Sequence, residues 1–119
     1  MAANIKDLVP ELKTKLAMFQ RACVAAKLDI IVTQGFRSIA EQNALYAQGR
    51  TTKGAIVTNA KGGQSQHNFG KAFDICFLTN KKASYNGPWE TVGKLGEKCG
   101  LEWGGRWKQL VDKPHFQIK

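Results

Sequence analysis

The run Lys71-Ala-Phe-Asp-Ile-Cys-Phe-Leu78 limits what this chain can become more than any other stretch. Read with a period of two, both of its faces are mostly apolar, the pattern of a strand covered on both sides. Asp74 stands in its middle, and no Lys or Arg follows it within the strand. A carboxylate removed from water costs several kcal/mol unless it is paired, fully hydrogen-bonded or bound to a cation. The fold must therefore bring partners to this strand from elsewhere. The chain has two histidines, His67 and His115. One lies in Ser65-Gln-His-Asn-Phe-Gly70, just before the strand, and the other in Asp112-Lys-Pro-His-Phe116 near the C-terminus. Two imidazoles and a carboxylate are donors that zinc accepts at about 2.0–2.2 Å, and a catalytic zinc keeps its fourth position for water. His67, Asp74 and His115 would supply that set. Spacing alone leaves open that His67 and Asp74 are unrelated polar residues, or an i, i+7 pair on one helix face.

Ser65-x-His67-x-x-Gly70-x-Ala72-x-Asp74 is similar, at each specified position, to a signature of the D-alanyl-D-alanine carboxypeptidase and L-alanyl-D-glutamate endopeptidase family. These are the peptidoglycan-cleaving zinc enzymes of peptidase family M15. Asp112-x-x-His115 resembles the family's second motif, and Gly35-Phe-Arg-Ser38 and Glu102-Trp-Gly-Gly-Arg106 extend the likeness over roughly residues 30 to 118. The resemblance implies zinc held by His67, Asp74 and His115, with Asp112 as the catalytic base. It implies that Arg37 contacts substrate and that Ser65 supports the substrate or the zinc-bound oxygen. Read from the residues alone, Arg37 is a surface arginine by a helix start, Ser65 a turn-forming serine and Asp112 an ordinary loop carboxylate. Family members with Asp at the base position tend to be L-alanyl-D-glutamate endopeptidases, whereas the carboxypeptidases tend to place Glu there. The members nearest in size and pattern are single-domain phage endolysins. The partner so implied is the peptidoglycan stem peptide. A D-alanyl-D-alanine carboxypeptidase or a non-catalytic peptidoglycan-binding module are the alternatives.

The expected fold is α+β, a small, mainly antiparallel sheet with two or three packed helices, of the hedgehog and D-Ala-D-Ala peptidase type. Residues 1–119 read as one catalytic domain without a wall-binding domain, and as a monomer. Eighteen Lys and Arg against nine Asp and Glu give a net charge of +9. That charge attracts anionic envelope polymers. The basic residues are scattered and not interleaved with an aromatic ladder, so no specific nucleic-acid surface is expected. No run of eighteen apolar residues and no signal-peptide pattern is present, which predicts no membrane insertion and residence in the host cytoplasm until the membrane is permeabilised. Cys23, Cys76 and Cys99 read as reduced packing residues, although Cys76 shares a strand face with Asp74 and leaves a ligand role open.

In chain order, Asp7 to Leu28 reads as an amphipathic helix with Leu8, Leu12, Leu16, Phe19 and Cys23 on one face and Pro10 in the first turn. Asp29 to Phe36 reads as a β-branched strand. Ser38 and Glu41 form a capping box for a helix closed by Gly49. Residues 50–66 read as a loop forming one wall of a substrate groove. Gly70 reads as a turn with positive φ. Thr79 to Gly87 reads as a polar turn. Pro88 opens a helix with Trp89, Val92, Leu95 and Cys99 as its buried stripe, and Gly100 ends it. Leu101 to Gly105 reads as a short strand ending in a tight turn, and His115 to Ile118 as a last strand. Trp103 and Trp107 read equally well as core or as cleft lining.

Overall fold

The computed structural model describes residues 3–118. Helix α1 spans Pro10–Ala25, with the proline in its first turn, where the missing N–H breaks no intrahelical bond. Its buried side chains are Leu12, Leu16, Phe19 and Cys23, the stripe expected from the period, and Leu8 joins them from the preceding turn. Strand β1 is Ile30–Gln34 and helix α2 is Ile39–Ala47. Ser38 and Glu41 make the reciprocal capping box at the start of α2, with Ser38 Oγ accepting from Glu41 N at 3.1 Å. Gly49 follows at φ 80°. Strand β2 is Ala72–Thr79, β3 Lys82–Ser84, helix α3 Trp89–Lys98, β4 Glu102–Trp103 and β5 His115–Gln117.

The expected α+β fold with three helices is present, and every pairing between these strands is antiparallel. The order is β1-β2-β5-β4, with β3 also on β2. The strand that carries Asp74 is thus the sheet's centre. Phe73, Ile75 and Phe77 point to one face, where they meet Leu12, Leu16 and Phe19 of α1, Val92 of α3 and Phe116 of β5. At about 25 cal/mol per Å² of apolar surface, each such side chain contributes roughly 1.5–3 kcal/mol when fully covered. Asp74 and Cys76 lie on the opposite face.

Some expectations are corrected. The segment 79–87 is not simply a turn, because Lys82–Ser84 pairs with Phe77–Thr79. Pro88 is the cap of α3 and not its first residue. Val92 is fully covered, but Trp89, Leu95 and Cys99 are only partly so, and the closest packing of α3 falls on Gly93 and Gly96. By contrast, the short strand Glu102–Trp103 does end in the expected tight turn, a 3-10 turn at Gly104–Arg106. No helix among the described residues is long and apolar enough to cross a membrane.

Candidate metal centre

Local sequence and sheet register together assemble the site. Gln66–Phe69 forms a 3-10 turn capped by Ser65, whose Oγ accepts from His67 N at 3.2 Å, while Asn68 Oδ1 accepts from Ser65 N at 3.3 Å. Gly70 ends the turn at φ 67°, the left-handed conformation expected there, so the chain leaves His67 and enters β2 at once. The turn is fastened to the segment after β1. Arg37 N donates to His67 O at 3.0 Å, and Asn68 Nδ2 donates to Arg37 O at 2.8 Å. His115 faces Asp74 directly across the β2–β5 pair. On the other side, a β-bulge between Val32 and Gln34 shifts the register so that Gln34 lies opposite Asp74.

The three proposed ligands come together. His67 Nε2 is 3.4 Å and His115 Nδ1 3.2 Å from Asp74 Oδ1, and the three donor atoms lie within 4.8 Å of one another. Ligands bound tetrahedrally at about 2.0–2.1 Å are separated by about 3.3 Å, which both histidine–Asp74 distances match, and the donor types are those that zinc accepts. The remaining ring nitrogens are engaged behind the site. His67 Nδ1 donates to Gly35 O at 2.8 Å, which leaves Nε2, on the Asp74 side, as the nitrogen able to hold a cation, and His115 Nε2 lies 2.7 Å from Gln117 Oε1. Burial pushes the Asp74 carboxyl up, but hydrogen bonds from His115 and His67 and their charge outweigh it and hold Asp74 well below the usual carboxylate range. Cys76, although buried on the same strand face, stands outside this group.

Asp112 reaches the centre from the turn before β5, with Oδ2 3.9 Å from His115 Nδ1. Burial raises its pKa, and repulsion from Asp74 adds to the rise. The turn is clamped: Asp112 N donates to Gly104 O at 3.0 Å, and Trp103 Nε1 to Lys113 O at 2.7 Å. Trp103 is therefore core, whereas Trp107 lines the cleft with its ring 5.0 Å from that of His115.

The cleft over these residues has a volume of about 1060 Å³. Val57, Thr58, Asn59 and Ala60 of the 50–66 loop form one wall, as expected. Arg37 enters it half-buried, donating from Nη1 to Gln42 Oε1 at 2.8 Å, and its buried Nε has no partner. It is not the plain surface arginine of the bare sequence reading. Ser65 lines the cleft too, though its visible work is the cap. Gln42 went unnoticed in the sequence, where it looks like any helix glutamine. Fully buried, it holds Arg37 through Oε1 and the loop through Nε2, which donates to Ala60 O at 2.8 Å.

Residues 58–118 match the family profile described as D-alanyl-D-alanine carboxypeptidase. The peptidoglycan L-alanyl-D-glutamate endopeptidase CwlK of Bacillus subtilis is 40% identical over 94% of this chain and 74% of its own length. Among solved structures, the L-Ala D-Glu endopeptidase ChiX of Serratia marcescens superposes with a TM-score of 0.69 at 26% identity, over 98% of this chain and 84% of that one. The vancomycin-resistance D,D-pentapeptidase VanY, solved with Zn(II), superposes at 0.69 and 14% identity over 93% and 72%, a likeness of fold.

Proposed function

The chain belongs to peptidase family M15, and from that premise we propose that it is a zinc-dependent endopeptidase cutting the L-alanyl-D-glutamate bond of the peptidoglycan stem. The observation that carries the reading is the convergence of His67 Nε2, Asp74 Oδ1 and His115 Nδ1 on one point beneath a cleft that also holds a carboxylate and a guanidinium. The similarity to the L-alanyl-D-glutamate endopeptidase CwlK supports the choice of bond. In this reading His67, Asp74 and His115 hold the zinc. Bound there, the metal would supply Lewis-acid polarisation of the scissile carbonyl and a water of lowered pKa.

The remaining work falls to the chain's own side chains. Asp112 accepts the attacking water's proton and returns it to the leaving amine, a role its place beside the ligands allows. Arg37, whose guanidinium lines the cleft beside the ligands, binds a substrate carboxylate such as that of the stem's D-glutamate. Ser65 contributes a polar atom to the cleft beside His67. Trp107 and the 57–60 loop segment flank the stem and exclude water from it. The D-alanyl-D-alanine carboxypeptidase reading rests on the description of the matching family profile and predicts a different product.

Cutting next to the glycan releases the stem together with its cross-link, and we propose that the chain serves in this way as a lytic enzyme of the phage type. It would act on the host wall once the membrane is breached, the net charge of +9 holding it near anionic envelope polymers. Purified protein incubated with peptidoglycan should release new amino groups, lose that activity on chelation and regain it with one zinc per chain. Full activity in a preparation shown to be metal-free would contradict the proposal.

A further inference from the structure

Behind His115 lies a second set of polar contacts that the proposed chemistry does not use. Glu102 of β4 pairs with Gln117 of β5, and Gln117 lies on the same strand face as His115 two residues earlier. Glu102 Oε2 accepts from Gln117 Nε2 at 3.3 Å and from Trp107 Nε1 at 3.0 Å. Gln117 Oε1 lies 2.7 Å from His115 Nε2.

We propose that Glu102 and Gln117 are positioning residues that select which nitrogen of His115 faces the metal, an inference that rests on the zinc reading of the site. The logic follows from what each group can donate. An ionised carboxylate only accepts, so the Gln117 amide must turn its NH₂ toward Glu102. Its oxygen is then left facing His115, and an amide oxygen also only accepts. His115 must therefore carry a proton on Nε2, so that Nδ1, which faces Asp74 Oδ1 at 3.2 Å, is the nitrogen that gives up its proton to a cation. With the amide reversed, its NH₂ would donate to Nε2, drive the proton to Nδ1 and block the ligand atom. His67 uses the opposite nitrogen because Gly35 O stands behind its Nδ1. The two ligands thus present different atoms, each chosen by the acceptor behind it. Trp107 ties this arrangement to the cleft, since it donates to Glu102 and packs on the His115 ring.

The test is zinc affinity, measured by chelator competition on the loaded full-length protein, with thermal melting of each apoprotein as the folding control. Glu102→Gln frees the Gln117 amide to reverse, and affinity should fall about tenfold or more, within the range usual for outer partners of metal ligands. The swap Glu102→Gln with Gln117→Glu restores the polarity: the new carboxylate accepts from His115 Nε2 and from the new amide, and Trp107 still finds an acceptor. Its affinity should return to within about threefold of the parent, a recovery that lost packing would not produce. A fall of less than about tenfold in Glu102→Gln, or a swap no tighter than that single variant, overturns the proposal. Failure of the parent itself to bind one zinc defeats the metal reading instead, so the two failures are told apart.

Discussion

Asp74 shows how one residue can set the terms for its surroundings. It is largely buried at the middle of the central strand, and its charged form persists because two histidines converge on one oxygen. Replacing such a buried cluster as a whole by apolar residues is often neutral for stability, whereas removing one member alone costs about 3–5 kcal/mol, so the His67–Asp74–His115 set points to binding and not to folding. Asp112 differs in kind. It is 44% exposed at its side chain and touches the centre without belonging to the ligand set. Asp112→Asn should therefore keep its metal and its melting temperature while kcat falls by about 10² to 10⁴. Metal analysis together with kcat checks this, and a variant with near-parent turnover would remove Asp112 from the mechanism.

At the scale of elements, the site depends on short strands held by a closely packed helix. A Cβ added at Gly93 would collide with the Trp103 ring, and one added at Gly96 with the Phe116 ring. Ala is preferred to Gly in a helix by about 1 kcal/mol, but overpacking costs about 1–3 kcal/mol, so the clash should win. Gly96→Ala is expected to destabilise by about 1–2 kcal/mol in chemical denaturation, and a more stable variant would contradict this packing. The long helix α1 was legible in the sequence because its apolar period is regular over four turns, and β2 because its two faces are apolar. Strand β3 was not, since Lys82-Ala-Ser84 is short and mostly exposed and owes its state to the backbone edge of β2. The grouping of His67, Asp74 and His115 was legible in part, because Asp74 is anomalous in its strand, but spacing left the histidines as unrelated polar residues until the family motifs singled out all three. Glu102, Gln117 and Gln42 were not, because their meaning comes from register and burial, which residues 15 or 18 positions apart do not announce. Trp103 and Trp107 look alike in sequence, and only packing makes one core and the other cleft.

At the scale of the molecule, the sheet divides two tasks between its faces. One face with α1 and α3 forms the apolar core, and the other, with the 65–70 turn, α2 and the 50–66 loop, forms the cleft. A site built from β2, β5 and the turns leading into them is anchored by the whole core, which suits chemistry that needs ligands held in place. Which bond this arrangement cuts is read from the termini of its products. Peptidoglycan digested with the zinc-loaded protein and analysed by mass spectrometry should show stem peptides with new N-terminal D-glutamate and L-alanine left on the muramic acid. Free D-alanine as the sole product would contradict the account and assign the carboxypeptidase reaction instead.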